Sequence, residues 1–397
     1  RNYNDSYFFA TAPLYKYAHS FKTDDAPTGD SWSAHADTSW YNSSATEFTL
    51  TTPEQLAGLA KLVNGGTGFF KKTVKLGADL DMSRYIWIPI GGDGYQFQGN
   101  FDGCGHTVSG MYCKDTNRTT GTGMFGEFMP EDREDGNTYL KDLVVYDSYF
   151  YGRYYVGGIA AYIGGTTVTN CVSYATVKAN HNNTLFSSEY NSFAGGLFGV
   201  VAWYSGIVNC VNYGSVTPAG NYVGGIAGYL YGKSYIVNCV NFGNVRSIRG
   251  NVGGIVGVAE TSEYEAEENE QTKVINNYNF GMVYGGNNTY VGAIAGRNVS
   301  DYGIAQFNYY LDGCATDANG NVRYAMGTKS GSVTDGDKNY FASAFENTES
   351  KMKGSAGEYS GMTLIEALNT WVTTNGSEYG AVAWEATGPN GYPVPVG

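Results

Sequence analysis

Apolar and polar positions alternate along this chain in short bursts, each ended by glycine or asparagine, and the bursts recur as a phrase. Val223-Gly224-Gly225-Ile226-Ala227-Gly228 is followed by Ile236-Val237-Asn238-Cys239-Val240-Asn241-Phe242-Gly243, then a Val and a turn, and the phrase begins again. Its second glycine falls at Gly123, Gly158, Gly196, Gly225 and Gly254, with Ala293 in the last copy, at intervals of 35, 38, 29, 29 and 39 residues. A unit of 29 residues with insertions of six to ten predicts a solenoid. The units are built from Val, Ile, Tyr, Asn and Gly rather than Ala, Leu, Glu and Lys, so they are strands and turns. A propeller blade needs roughly 40 to 50 residues. The shorter unit suits one coil of a parallel β-helix, three short strands joined by turns.

Aligned coils turn single residues into columns. Asn170, Asn209, Asn238 and Asn276 coincide, as do Ser173, Asn212, Asn241 and Asn279 three positions later. Stacked coils lie about 4.8 Å apart, so each amide can bond to its own copy above and below. Tyr174, Tyr213, Phe242 and Phe280 share a column, and so do Tyr155, Phe193, Tyr222, Asn251 and Tyr290 just ahead of the glycines. Such rings stack with an offset, a structural role first. Cys171, Cys210 and Cys239 form a further column and read as small buried hydrophobes. Cys104, Cys113 and Cys314 lack the spacing and the His pair of a zinc site. A Cys104 to Cys113 disulfide is left open.

The pattern changes at both ends. Residues 1–48 are rich in Tyr, Trp, Ser and Asp without sustained periodicity and read as an irregular or β-rich lead-in. Residues 49–95 read as an N-terminal cap. There Thr52-Pro53-Glu54-Gln55 is a capping box with Pro at the first helical position, Leu56, Leu59, Ala60, Leu62 and Val63 form one apolar face, and Asn64-Gly65-Gly66 stops the helix. Coils fill 96–325, and 326–397 read as a C-terminal cap. Its helix has Thr363 and Glu366 as capping box and Leu364, Ile365, Leu368, Trp371 and Val372 as apolar face. A solenoid end exposes strand edges and core, and an amphipathic helix across each end is the expected remedy.

Composition narrows the function classes. Of 397 residues 42% are hydrophobic and 15% charged, enough to bury a long core without disulfides or metals. The 56 glycines and 35 tyrosines beside 24 Lys and Arg suggest an exported bacterial surface protein rather than a cytosolic enzyme. A net charge of −13 argues against nucleic acid or an anionic membrane surface as partner. No run of 18 apolar residues predicts membrane insertion. A chain opening Arg1-Asn2-Tyr3 reads as a mature form or an excised fragment.

The repeat, with Ile-Val-Asn-Cys-Val-Asn-Phe-Gly-Asn-Val at 236–245, resembles the GLUG motif of bacterial surface and secreted proteins, found also beside the catalytic domain of bacterial IgA-specific metallopeptidases. The preceding stretches agree in order: Glu47-Phe48-Thr49-Leu50, Lys75-Leu76-Gly77-Ala78-Asp79-Leu80-Asp81, Trp87-Ile88-Pro89-Ile90-Gly91 and Phe101-Asp102-Gly103-Cys104-Gly105-His106. The similarity spans roughly residues 40–397. It implies an all-β solenoid, a right-handed parallel β-helix, in an extracellular and often gut-bacterial setting. It implies no activity, since such proteins are mostly described as adhesin-like or uncharacterised.

Catalytic signatures are missing. There is no HExxH, so any tie to the IgA peptidases reaches only their accessory region, and no GxSxG elbow. Gly121-Thr122-Gly123-Met124-Phe125-Gly126 matches GxGxxG but falls in the repeat's glycine column with no helix pattern after it. Asp102, Cys104 and His106 lie together in a turn sequence, yet no third group orients the His towards the thiol. A β-helix lyase or glycosidase needs clustered carboxylates, and between Gly152 and Gly257 Glu189 is the only one. Acid crowds two insertions instead, at Glu131, Asp132, Glu134 and Asp135 and at Glu260, Glu263, Glu265, Glu267, Glu268 and Glu270. These read as solvated loops, lacking the Asp-x-Asp-x-Asp-Gly order of a Ca²⁺ loop.

What remains is aromatic surface: Phe150, Tyr151, Tyr154, Tyr155, Trp203, Tyr204, Tyr229, Tyr231, Tyr235, Tyr284 and Tyr290 fall at coil edges or in insertions. Neutral rings beside Asn suit a glycan or a host or cell-surface protein ligand. The expectation is therefore an exported, non-catalytic module for adhesion or ligand binding, or a stalk, with no cofactor and no metal, and with Tyr154, Tyr204, Tyr229 and Tyr290 as first-choice ligand contacts. The alternatives are a β-helix lyase or glycoside hydrolase, which needs a groove of convergent carboxylates, and an accessory region of a secreted peptidase.

Overall fold

The computed structural model describes residues 21–116, 120–180, 192–262, 270–286, 289–298, 303–327, 340–353, 359 and 361–396. Strand follows strand in parallel register along most of the chain, and the stacked coils form a parallel β-helix whose sheets contain, among the described residues, 17, eight, six and five strands; the eight-stranded sheet ends in one antiparallel pairing, Ala315–Thr316 with Val322–Arg323. One coil is Tyr222–Gly224, Ala227–Leu230, Tyr235–Val237, Val240–Asn241 and Val245–Ser247. That is more strands per coil than the three expected. The extra corner lies at the first Asn column, where Asn170, Asn209, Asn238 and Asn276 have φ of 56°, 56°, 59° and 55° and turn the chain between two segments of the long sheet. Asn tolerates the left-handed region better than other non-Gly residues, which explains its recurrence there.

Both Asn columns are hydrogen-bonded ladders. At the corner, Asn238 Nδ2 donates to Asn209 Oδ1 at 2.8 Å and Asn276 Nδ2 to Asn238 Oδ1 at 2.9 Å. Three positions on, Asn212 Nδ2 donates to Asn241 Oδ1 and Asn241 Nδ2 to Asn279 Oδ1, both at 2.8 Å. These inner amides also bond their own turns, from Asn241 Nδ2 to Gly243 O at 2.9 Å for instance. They sit against the phrase's second glycine: a β-carbon on Gly225 would stand 2.3 Å from Asn241 Cγ and 2.1 Å from Gly254 O. Phrase and ladder are thus two sides of one contact. Tyr174, Tyr213 and Phe242 stack with centroids 4.5 Å and then 5.1 Å apart.

Helix α1 (Pro53–Asn64) is part of the connection between the first two strands of the long sheet, Glu47–Leu50 and Thr73–Leu76, which pair directly with each other, and it buries Leu56, Leu59 and Val63 in the solenoid's core. Thr52 Oγ1 accepts from Gln55 N at 3.3 Å, while Gln55 Oε1 reaches back to Thr51 N rather than to the cap itself. Helix α2 (Leu364–Asn375) has its capping box complete, with Thr363 N donating to Glu366 Oε2 at 2.8 Å.

The C-terminal segment departs from the expected cap. Trp371 of α2 packs on Val237 and Ile275 from two successive coils. The Asn ladder holds the chain on either side of it: Asn209 donates to Gly380 O at 3.0 Å, Asn238 to Val382 O at 2.9 Å and Asn276 to Leu368 O at 3.2 Å. The segment therefore runs along the side of the stack across three coils. The physical reason is that the outer face there carries Val237, Ile275 and Tyr278, too apolar to leave in water. The edge of the last long-sheet strand, Tyr340–Phe345, is met instead by Lys353, bridged antiparallel to Ala344.

Candidate functional site

Each phrase joins a five-stranded-sheet strand to a six-stranded-sheet strand, and the outer faces of these sheets fold towards each other. The phrase's last glycine makes this possible: β-carbons on Gly228 and Gly257 would lie 2.7 Å from Ala194 N and 2.4 Å from Val223 N, backbone of the neighbouring sheet. The result is a concave corner running along the solenoid. Two outward columns line it. The residue before each phrase gives Tyr155, Phe193, Tyr222, Asn251 and Tyr290, and the residue after it gives Tyr162, Val200, Tyr229, Val258 and Arg297.

Rings meet across this corner. Tyr155 touches Tyr162 edge-on at 5.9 Å between centroids and stacks on Phe193 at 5.3 Å. Phe193 meets Tyr222 at 4.9 Å and Tyr229 at 5.5 Å, and Tyr229 stacks on Tyr231 at 4.9 Å. Tyr231 joins Trp203, at 5.0 Å, and its hydroxyl shares a 2.7 Å hydrogen bond with that of Tyr162, which also accepts from Trp203 Nε1 at 3.0 Å. Burial pushes the Tyr231 phenol well up, with the Tyr162 bond adding to the shift, and pushes the Tyr155 phenol up, so both hydroxyls stay protonated at neutral pH. The charged groups at this corner are scattered: Glu260 accepts from Tyr229 OH, Glu127 from Gln96 Nε2 at 3.2 Å, and Arg133 lies 5.5 Å over Trp203.

Trp203 and Tyr204 are 36% and 37% exposed with φ of 52° and 63°. Neighbouring coils place Gly165 and Gly232 at this turn, with φ of 56° and 68°. A large aromatic in the left-handed region costs about 1 kcal/mol or more, and such strain concentrates at functional positions.

Of the four sequence-chosen tyrosines, the structure puts Tyr229 inside the ring cluster. Tyr204 stands beside Trp203 under Lys233 Nζ at 5.2 Å, Tyr154 under the Arg153 guanidinium at 5.0 Å, and Tyr290 two coils beyond Tyr222 under Arg297 at 5.6 Å. Tyr162, Phe193 and Tyr222 were missed as lining residues. Their signal was position on either side of the phrase, where alternation carries a side chain outward. Two further members of the aromatic set are corrected: Phe150 is fully buried in the core, and Tyr235 is covered by Tyr379 at 5.2 Å.

The Asp102, Cys104 and His106 turn does not assemble a nucleophile. His106 Nδ1 faces Asp79 Oδ1 at 3.1 Å. Asp102 binds Cys104 N at 2.8 Å and Lys141 Nζ at 3.2 Å, and although burial opposes ionisation these bonds hold its carboxyl below the usual range. Burial and the Asp102 charge push the Cys104 thiol up, away from thiolate. None of the six cysteines forms a disulfide; Cys104 is exposed and the other five are buried. Glu131, Asp132, Glu134 and Asp135 are exposed, and no three metal-binding side chains cluster among the described residues. Glu189, Glu263, Glu265, Glu267 and Glu268 lie outside the described residues.

No protein-family model matches the chain, and no curated protein matches it. Among solved structures it is similar to a crystal structure from Bacteroides ovatus described as a proposed immunoglobulin A1 protease, with 19% identity, a TM-score of 0.56, and coverage of 88% of this chain and 92% of that one. At that identity the likeness shows the parallel β-helix fold, shared over nearly the full length of both chains.

Proposed function

We propose that this chain is a non-catalytic ligand-binding module of an exported bacterial protein, in keeping with the resemblance of its repeat to the GLUG motif, and that the concave aromatic corner is its binding face. The observation that carries the reading is the run of touching rings from Tyr155 through Phe193, Tyr222, Tyr229 and Tyr231 to Trp203, edged by tyrosine hydroxyls and by a few scattered charged groups of both signs. Rings with hydroxyl rims stack on the apolar faces of sugars and hydrogen-bond their edges. The module belongs at the cell surface or outside the cell.

The test is a glycan and mucin array probed with the wild-type chain and with Trp203→Ala. Saturable binding that the variant loses at least tenfold supports the reading, and its salt dependence should be slight because ring stacking on a neutral ligand is not screened. Absence of any bound glycan contradicts it.

A second reading, an accessory region of a secreted peptidase, draws on the description of the Bacteroides ovatus neighbour. A parent protein carrying a separate peptidase domain would support it.

A further inference from the structure

Away from the aromatic corner, the outer face of the eight-stranded sheet carries charge of one sign. Lys114, Tyr151 and Lys178 are register partners on three successive strands, Tyr112–Asp115, Tyr149–Gly152 and Thr176–Ala179. Both ammoniums lie over the one ring, Lys114 Nζ at 5.9 Å and Lys178 Nζ at 5.3 Å from its centroid. Lys114 is exposed and Tyr151 and Lys178 are half-buried, so solvent reaches all three. Beyond a bulge, where Val216 pairs with Val245 but Ala219 with Ser247, the same face again sets a cation on a ring: the Arg246 guanidinium stands 5.2 Å over Tyr284 of the next coil.

The second observation is the missing counter-charge. On the long sheet the register partners Lys75, Asp102 and Lys141 alternate in sign, and the lysines bond Glu47 at 2.8 Å and Asp102 at 3.2 Å. Lys233 and Lys353 also have carboxylate partners. Among the described residues Lys114 and Lys178 have none, in a chain whose net charge is −13. A neutral ring offers a cation less than a carboxylate does, and here two cations share it. The acids closest in sequence sit at the two ends of this face: Asp115 follows Lys114, and Asp317, after Thr316, is held by Arg323 at 2.6 Å.

We propose that this strip is a second binding face, for a linear polysaccharide bearing sulfate or carboxylate groups, with an anionic group seated between the Lys114 and Lys178 ammoniums. Tyr151 packs against the sugar ring that carries it. Alongside, Tyr112 and Tyr149 stack at 5.4 Å with Phe21 packed on both at 6.0 Å and 5.6 Å, so an aromatic ridge borders the cations. Rings beside cations match a sugar with an acidic substituent. Nucleic acid fits less well, because its affinity is built from many phosphate contacts and the strip offers only Lys114, Lys178 and Arg246. Charge elsewhere on the chain is screened beyond about 8 Å at physiological salt, so the local cations decide what settles here.

The experiment is titration calorimetry on the full chain with chondroitin sulfate, its desulfated form, hyaluronan and uncharged dextran, and with a DNA duplex. The variants are Lys114→Gln with Lys178→Gln, the matching pair of Lys→Arg changes, and Trp203→Ala. Wild type binds an anionic polysaccharide and not dextran, and the affinity falls steeply between roughly 50 and 200 mM salt. The double Gln variant loses about tenfold and flattens the salt slope by about one per lysine removed, with its melting temperature unchanged. The double Arg variant and Trp203→Ala bind as wild type does. Desulfated chondroitin and hyaluronan show whether a carboxylate suffices or sulfate is needed, and binding by either group supports the strip. Undiminished binding by the double Gln variant, or no anionic polysaccharide bound by wild type, overturns the strip and leaves the neutral-glycan corner standing. Equal affinity for the DNA duplex overturns the polysaccharide assignment.

Discussion

Asn241 occupies the space a β-carbon on Gly225 would need, its Cγ 2.3 Å from that point, and Gly254 O of the next coil closes the other side at 2.1 Å. Interior amide ladder and glycine turn are therefore fitted to each other. Gly225→Ala is expected to lower stability by about 3 kcal/mol in denaturant titration, because a packed coil must separate from its neighbour. Adding Asn241→Ala does not rescue it, since the carbonyl remains. Gly68→Ala, opposed only by the movable Gln98 side chain, is the mild control. A double variant as stable as Asn241→Ala alone contradicts this.

Removing residues 362–397 uncovers Val237, Ile275 and Tyr278 on the side of the solenoid. Hydrogen exchange is then expected to accelerate in several coils, from 206 to 311, while strands such as Tyr139–Lys141 keep their protection. Acceleration confined to the last coil would restore the end-cap picture.

The phrase spacing and both Asn columns were legible because a solenoid repeats its environment every coil, so each requirement is written in the chain several times over. What was not legible depends on contacts written once. The resting place of Trp371 follows from Val237 and Ile275, more than 90 residues away in sequence, and amphipathicity alone cannot distinguish the side of a stack from its end. The extra corner in each coil was hidden because Asn238 was read only as a ladder residue, although its positive φ also bends the strand. Phe150 was misplaced because periods of two give the face of a strand only once the register is known.

Cys104 is the exposed thiol among six. Native labelling with a thiol reagent is expected to modify one cysteine per chain and all six after unfolding. Its raised pKa makes the native reaction slow at pH 7 and faster as pH climbs past its usual 9.0. Rapid labelling at neutral pH would signal an activated thiol and reopen the catalytic reading.

Asp317 carries a testable pH signature. Burial opposes its charge, but bonds from Asn321, Asn319 and the Arg323 guanidinium outweigh this and bring its carboxyl to about 2 from 3.8. A lowered folded pKa means that the contribution is complete above 3.8 and disappears as pH falls through about 2. Asp317→Asn therefore melts below wild type at neutral pH, and the difference vanishes towards pH 2. A gap that persists unchanged into acid would show that the loop does not depend on the charge.

The most direct test of the central claim incubates the chain with mucin glycopeptides and a polysaccharide panel, then follows binding and product release together by mass spectrometry. The account predicts retained, intact ligand, with retention lost in Trp203→Ala and unaffected by Asp102→Asn or His106→Ala. Released saccharide or peptide fragments whose formation Asp102→Asn or His106→Ala abolishes would contradict it.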